Sequence, residues 1–112
     1  MKTIPVKAFE VVGEQHSPEA RKPGAFVFML NQSQERMGII HACPCGCSMQ
    51  GAMWFRGKAD AGGAEWDVSG EWPNVTMSPS IGFAKDSATN QYHWHGYLER
   101  GWFVNERAEA PQ

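Results

Sequence analysis

The cysteines are the feature of this sequence that most constrains what the chain can fold into. All three lie in one five-residue segment, Cys43-Pro44-Cys45-Gly46-Cys47, and His41 precedes that segment by two residues. Two more histidines form a His-x-His pair, His93 and His95, about fifty residues later. Thiolate sulfur and neutral imidazole are the preferred ligands of zinc, and a structural zinc site takes four of them in a tetrahedron. The pattern therefore predicts one zinc ion that joins the middle of the chain to its end.

Six side chains compete for the four ligand positions: His41, Cys43, Cys45, Cys47, His93 and His95. In an extended strand, residues two apart point to one face, so both histidines of the late pair are expected to approach the ion. Pro44 and Gly46 interrupt regular strand geometry and let the backbone bend around a metal. We favour two or three of the cysteines with His95, and His93 as a further candidate. His41 is either a ligand or a group that hydrogen-bonds to one.

Other roles for the cysteines fit this sequence less well. The count is odd and the spacing is two residues, and both features disfavour a disulfide. A redox pair requires Cys-x-x-Cys, which is absent from the sequence. Free buried cysteines that act as small hydrophobic residues stay an alternative.

The chain of 112 residues is long enough for one domain and too short for two ordinary ones. A core of this size is marginal from burial alone, so a metal crosslink would stabilise it. No segment shows ten or more residues of helical periodicity, whereas many short segments have strand character. These segments are Gly24–Leu30, Met37–Ala42, Met49–Phe55, Glu65–Val68, Val75–Met77, Tyr92–Leu98 and Trp102–Val104.

The last two of these segments flank Glu99-Arg100-Gly101, which predicts a hairpin with a three-residue loop. The fold class predicted for residues 1–112 is mostly β: one small domain with an antiparallel sheet, barrel-like or a sandwich, stapled by a metal and with little helix. The polar residues from about 106 to 112 are expected to be a disordered tail.

Charge and hydropathy narrow the classes of partner. Ten basic and twelve acidic residues give a formal charge of -2, which argues against binding nucleic acid by phosphate neutralisation. No apolar run approaches the roughly 20 residues of a membrane span, and the N-terminus lacks the apolar core of a secretory signal. We therefore expect a cytoplasmic protein without membrane association, in a compartment where thiols stay reduced.

Three motifs occur in a specific order between His41 and Trp102. They are His41-x-Cys-Pro-Cys-Gly-Cys47, Val75-Thr-Met-Ser-Pro-Ser-Ile81 and Tyr92-His-Trp-His-Gly-Tyr-Leu98, the last followed by Gly101. The ordered set resembles a family of small phage- and prophage-encoded proteins of unknown function. The resemblance implies zinc binding, and it implies that some relatives neighbour bacterial ubiquitin-like conjugation genes. Enzyme names carried by members, ammonia monooxygenase among them, are labels without a mechanism.

The sequence departs from the family pattern at one position that bears on the metal. Members of that family often have a cysteine immediately before the histidine of the Trp-His-Gly element, where this chain has Tyr92-His93. Two ligand sets remain open. Either His93 replaces that thiolate, or all three cysteines and His95 complete the site.

The leading functional hypothesis is a zinc-stabilised accessory module of phage type that binds another protein. A closed site with four protein ligands predicts no metal-bound water and no Lewis-acid chemistry. The first alternative is a metal-dependent hydrolase with an open position, in which Asp67, Glu71 or Glu99 would act as the general base. The second is single-stranded nucleic-acid binding through zinc, the tryptophans and a patch of Lys7, Arg56 and Lys58.

The sequence offers little support for serine catalysis at the second motif. Ser80 has no Gly-x-Ser-x-Gly elbow around it, and the sequence shows no obvious Asp–His relay order. We therefore predict a structural role for Ser78-Pro79-Ser80, in which Pro79 fixes a turn and the hydroxyl groups satisfy backbone groups.

Overall fold

The computed structural model describes residues 3–59, 63–83 and 93–111, and within them the chain forms nine short strands and two 3₁₀ turns. Tyr92, which begins one predicted strand, lies outside the described residues. The strands are β1 (Val6–Lys7), β2 (Phe9–Glu10), β3 (Ala25–Leu30), β4 (Arg36–Ala42), β5 (Gln50–Phe55), β6 (Glu65–Ser69), β7 (Thr76–Phe83), β8 (Trp94–Glu99) and β9 (Trp102–Val104). The 3₁₀ turns are Glu19–Arg21 and Arg107–Glu109.

The strands form one sheet that nearly closes into a barrel. Its order is β1-β9-β8-β7-β6-β5-β4-β3-β2, so the two shortest strands lie at opposite ends although only Ala8 separates them in sequence. At that residue the chain passes from one end of the sheet to the other. The Ala8 N–H donates to the Gly101 carbonyl at 2.8 Å, and the Phe9 N–H donates to the Gly24 carbonyl at 3.0 Å. The N-terminal segment therefore bridges the two ends of the sheet.

The prediction of a mostly β, barrel-like domain with little helix is confirmed. Neighbouring strands are antiparallel except for the pairs β2–β3 and β5–β6, which are parallel. Alternate residues of the strands point inward and form one core, as the two-residue period of a strand requires. The largest buried apolar side chains of this core are those of Trp94, Phe26, Phe103, Ile39, Met53, Met77, Ile81 and Leu98.

The late hairpin differs from the prediction in its loop. Glu99 is paired with Trp102 at the end of the ladder, so only Arg100 and Gly101 form the loop. Both have a positive φ, 47° for Arg100 and 85° for Gly101. Two consecutive left-handed residues are what a two-residue turn of type I′ requires, because this turn matches the twist of the flanking strands. The expected three-residue loop is therefore wrong by one residue.

The C-terminal residues after β9 contain a short turn. Glu106 and Glu109 form a reciprocal capping box around the 3₁₀ turn Arg107–Glu109, and the Glu106 N–H donates to the Glu109 carboxylate at 2.9 Å. This turn lies in the segment for which the sequence predicts disorder. Among the described residues, no helix has the length and apolar character needed to cross a membrane.

Candidate metal centre

The three cysteines lie in the loop that joins β4 to β5. The Cys43 N–H donates to the Met49 carbonyl at 2.8 Å, and the Gly46 N–H donates to the Cys43 carbonyl at 3.1 Å. Gly46 and Ser48 have φ values of 89° and 72°, in the left-handed region that glycine adopts most easily. The loop therefore curls back on itself and brings its sulfur atoms together, as the Pro and Gly between the cysteines predict.

His93 joins this loop from the other end of the sequence. It precedes β8, and its N–H donates to the carbonyl of Phe83, the last residue of β7, at 2.8 Å. Its Nε2 lies 3.0 Å from the Sγ of Cys45, which in turn lies 3.3 Å from the Sγ of Cys43. The ligand atoms of Cys43, Cys45, Cys47 and His93 all lie within 4.8 Å of one another. These four side chains form the Cys3His cluster.

The donor set and its spacing fit a tetrahedral metal ion. Three sulfurs and one imidazole nitrogen are a ligand set found in structural zinc sites. With metal–sulfur bonds of about 2.3 Å, the ligand atoms of a tetrahedral site are separated by about 3.8 Å. The separations of 3.0 and 3.3 Å must widen by a few tenths of an ångström, which side-chain rotation can supply. The Cys3His cluster could therefore hold one metal ion.

The thiols of the cluster differ in their acidity. Burial raises the pKa of Cys43 to about 12. At Cys47, desolvation also raises the pKa, but hydrogen bonds from the Met49 backbone and from Cys45 outweigh it and lower the pKa. Metal ligands must be thiolates, so a metal that binds here has to displace the proton of Cys43. Metal affinity at this cluster is consequently expected to rise with pH.

His95 lies outside the Cys3His cluster. It is in β8 opposite Gly82, its side chain is exposed, and its carbonyl accepts a hydrogen bond from the Asn105 amide at 2.9 Å. The sequence favours His95 as a ligand because residues two apart in a strand share a face. His93, however, precedes the strand, and its side chain does not follow the alternation that turns Trp94 inward and His95 outward.

His41 also lies outside the cluster, although it is two residues before Cys43 and is buried as Cys43 is. It is 1% exposed, and its ring is stacked on Phe103 and meets the edge of Phe83. Neither ring nitrogen has a hydrogen-bond partner in the described part of the chain. Burial lowers the pKa of His41 to about 4, so the imidazole is neutral at pH 7.

Two of the three carboxylates proposed as a general base are held in ion pairs. Asp67 accepts two hydrogen bonds from the Arg56 guanidinium, each 3.0 Å long, and these hydrogen bonds lower the pKa of Asp67. Glu99 pairs with both Arg100 and Arg107. Glu71 is exposed, and it is not in the Cys3His cluster.

The basic residues proposed as a nucleic-acid patch also have polar partners. Besides the pairing of Arg56 with Asp67, the Lys58 ammonium lies 3.9 Å from Glu35 and the Lys7 ammonium donates to Asn74 at 2.7 Å. Much of the positive charge of this patch is therefore offset locally.

A bulge interrupts the ladder between β7 and β8. Met77 pairs with Leu98 and Ile81 with Gly96, so the three residues from Ser78 to Ser80 lie opposite Tyr97 alone. The Ser80 carbonyl accepts a hydrogen bond of 3.2 Å from the Trp66 indole N–H. Ile81 is 2% exposed and points inward, whereas the neighbouring Ser80 is half-buried. Bulges re-aim side chains and are frequent beside active sites.

The fold and the cluster define a class of protein: a small, mostly β domain with a Cys3His group that could hold a metal ion. Comparison with protein families identifies it further. The family described as bacterial ubiquitination-like system serine protease (BubE) matches residues 13–105, which is most of the chain. The chain belongs to this family. No curated protein and no solved structure matches it.

Proposed function

We propose that this chain is a serine peptidase of a bacterial ubiquitin-like conjugation system, with Ser80 as nucleophile, His95 as general base and a structural zinc ion in the Cys3His cluster. The family description supplies the reaction class and the kind of system. The observation that carries the assignment is the position of Ser80 and His95 on one face of the β7–β8 ladder. The protein partner expected from the sequence is then the substrate. The phage-type origin stays a prediction.

The zinc assignment rests on the ligand count and type. Four protein ligands close a tetrahedral site, so such an ion would have no open position for water or substrate. Its role would be to join the β4–β5 loop to the start of β8. His93 is two residues before His95, so a metal bond to His93 would also fix the strand that carries the proposed base.

Most of the described serines are in surroundings that do not favour a nucleophile. The Ser17 hydroxyl accepts a hydrogen bond from the Ala20 N–H at 3.3 Å. The Ser78 hydroxyl accepts one from the Arg107 guanidinium at 3.0 Å, and donation of a lone pair to a cation makes this oxygen a weaker nucleophile. Three other serines, Ser33, Ser48 and Ser69, are exposed in turns or at a strand end.

Ser80 differs because a histidine lies diagonally across the ladder from it. Gly82 pairs with His95, and Ser80 is two residues before Gly82, so Ser80 and His95 are diagonal neighbours. Both lie on the outer face, since Ile81 and Trp94 point inward. Diagonal neighbours in an antiparallel pair are close enough for long side chains to meet. Opposite His95, Gly82 has no side chain, which leaves room for the imidazole to turn toward Ser80.

This geometry can perform nucleophilic catalysis in the way that Ser–His pairs do. The imidazole of His95 would accept the Ser80 hydroxyl proton while the oxygen attacks a carbonyl carbon, and it would return the proton to the leaving amine. A positioned general base contributes about 10²- to 10⁴-fold to such a step. The half-buried position of Ser80 would limit access of bulk water to the attacking oxygen.

A fluorophosphonate probe tests the proposal without knowledge of the substrate. The probe phosphonylates an activated serine oxygen with loss of fluoride, and mass spectrometry of peptides identifies the modified residue. We expect stoichiometric labelling of Ser80 in the metal-loaded protein and none in Ser80→Ala. We expect labelling of His95→Ala to be slower by about 10²-fold or more. Ser69→Ala, which removes an exposed hydroxyl at the end of β6, is the matched control and should label at the wild-type rate.

Two outcomes would contradict the proposal. One is labelling that persists in Ser80→Ala or falls on another serine. The other is a folded, metal-loaded protein in which no serine reacts. The second outcome would favour the accessory module that binds a protein without cleaving it.

A further inference from the structure

The bulge that carries Ser80 is held by a side chain from outside the two strands. Three residues of β7 face one residue of β8 at this point, so the β7–β8 ladder does not fix their backbone, although Ser78 pairs with Asp67 of β6. At the Ser80 end of the bulge, the Trp66 indole N–H donates a hydrogen bond to the Ser80 carbonyl. At the Ser78 end, Arg107 from the C-terminal 3₁₀ turn donates hydrogen bonds to Met77 and Ser78.

Arg107 contacts both strands of the interrupted ladder. On the β7 side, its Nη2 donates to the Met77 carbonyl at 3.3 Å and to the Ser78 hydroxyl at 3.0 Å. On the β8 side, its Nη1 pairs with the Glu99 carboxylate, and its guanidinium carbon lies 4.5 Å from the centre of the Tyr97 ring. A planar guanidinium can stack on a ring while its two Nη groups point to separate acceptors, whereas the three donors of an ammonium all start from one nitrogen.

The 3₁₀ turn that carries Arg107 is itself anchored to the barrel. The capping box of Glu106 and Glu109 satisfies the backbone at its start, and the Arg100 guanidinium donates to the Ala110 carbonyl at 2.9 Å. Arg107 also lies beyond residue 105, where the family match ends. The contacts of Arg107 therefore come from a C-terminal segment that the family match does not cover.

We infer that Arg107 is a positioning residue that sets the Ser78–Pro79–Ser80 bulge of β7 against His95 of β8. The inference rests on the proposed function. Arg107 acts through the backbone and Ser78, and it does not contact the reacting oxygen. Without the guanidinium, Met77 and Ser78 lose the contacts that tie them to Glu99 and Tyr97, and only the ladder pairs that flank the bulge hold Ser80 against His95. A misplacement of about 1 Å costs reactions of this kind about 100-fold in rate.

The test compares Arg107→Ala, Arg107→Lys and Arg56→Ala with the wild type. Arg56→Ala removes an exposed cation that pairs with Asp67 on the neighbouring strand and is the matched control. The readout is the rate at which the fluorophosphonate probe labels Ser80, measured well below every variant's melting temperature. Arg107→Ala should be slower by about 10- to 100-fold. Guanidinium ion added to Arg107→Ala should restore part of the labelling rate. The labelling rate of Arg107→Lys should lie between those of the wild type and Arg107→Ala.

Each outcome has a definite meaning. A purely structural role would lower the melting temperature of Arg107→Ala but leave the labelling rate of the folded protein unchanged, and this result would overturn the inference. In that case the wild-type protein would still label at Ser80, so the proposed function would stand. If the wild type itself does not label at Ser80, both the proposed function and the inference are overturned.

Discussion

The Sγ of Cys45 lies 3.0 Å from the Nε2 of His93, although the two residues are 48 positions apart in the sequence. Cys45 belongs to the loop after β4, and His93 directly precedes β8. β4 and β8 are separated by three strands in the sheet order. A metal bound to both residues would therefore connect distant parts of the barrel.

Loss of a metal ligand should lower both the zinc content and the melting temperature of the protein. We expect Cys45→Ala and His93→Ala to lose bound zinc and to melt at a lower temperature. When free zinc exceeds its dissociation constant a thousandfold, binding contributes about 4 kcal/mol. In a domain of this size that corresponds to about 15 to 30 °C in melting temperature. Metal analysis and calorimetry of the same samples measure both effects.

His95→Ala is the control for this experiment, because His95 lies outside the Cys3His cluster. It should keep one zinc per chain. If His95→Ala loses the metal and His93→Ala keeps it, the ligand set is the other one that the sequence left open.

Buried His41 should make folding sensitive to acid. Because the folded protein keeps this imidazole neutral down to about pH 4, whereas the unfolded chain protonates near 6.5, stability is full above 6.5 and is lost as the pH falls toward 4. The difference in pKa corresponds to about 3 kcal/mol. His41→Phe should not lose this part of its stability in acid. As the pH falls from 7 to 4, its free energy of unfolding should therefore rise relative to that of the wild type.

Urea unfolding at several pH values measures that difference. Both proteins carry the same Cys3His cluster, so the effect of acid on metal binding cancels in the comparison. Parallel curves for the two proteins across this range would mean that burial of His41 does not perturb its titration.

Gly96 should not tolerate a side chain. A Cβ atom at this inward position of β8 would collide with the Val104 carbonyl and lie 2.6 Å from the nearest carbon of the Trp94 ring. Overpacking of this kind costs about 1 to 3 kcal/mol. Gly96→Ala should therefore lower the midpoint of urea unfolding, whereas Ser69→Ala at an exposed position should not. Equal midpoints would show that the strands can separate at little cost.

Closure of the barrel at Ala8 predicts another sensitive position. Ala8 is 1% exposed and lies where the N-terminal segment passes between the two ends of the sheet. A larger side chain would push these ends apart, so Ala8→Leu should destabilise the fold by about 1 to 3 kcal/mol. Val12→Ala, at a position that is 88% exposed, is the control and should be neutral. A neutral Ala8→Leu would contradict the closed arrangement.

Much of the strand pattern could be predicted from the sequence because it is local. The apolar segment Gly24–Leu30 became β3, and Met37–Ala42 became most of β4. The loop of the last hairpin was predicted one residue too long, because the pairing of Glu99 with Trp102 depends on cross-strand hydrogen bonds. The strand β7 continues to Phe83, well beyond the predicted Val75–Met77, because β8 supplies pairing partners.

The candidate sites also have one part that the sequence predicts and one part that depends on strand pairing. The concentration of sulfur and imidazole groups in the sequence is enough to predict a metal site, since ligand chemistry depends on residue type. The sequence cannot choose between His93 and His95, because strand parity depends on where β8 begins. No local motif marks Ser80 or Arg107. Ser80 is a diagonal neighbour of His95 because of the register between β7 and β8, and Arg107 reaches the bulge beside it from the C-terminal turn.

The sequence by itself therefore determined the strand-forming segments and the chemistry of the metal ligands, because both follow from side-chain type and short-range spacing. Only the tertiary structure decided that His93 joins the three sulfurs, that His95 lies on the outer face of the sheet, and that Ala8 lies between the two ends of the sheet. These features depend on backbone pairing between segments that are far apart in the chain.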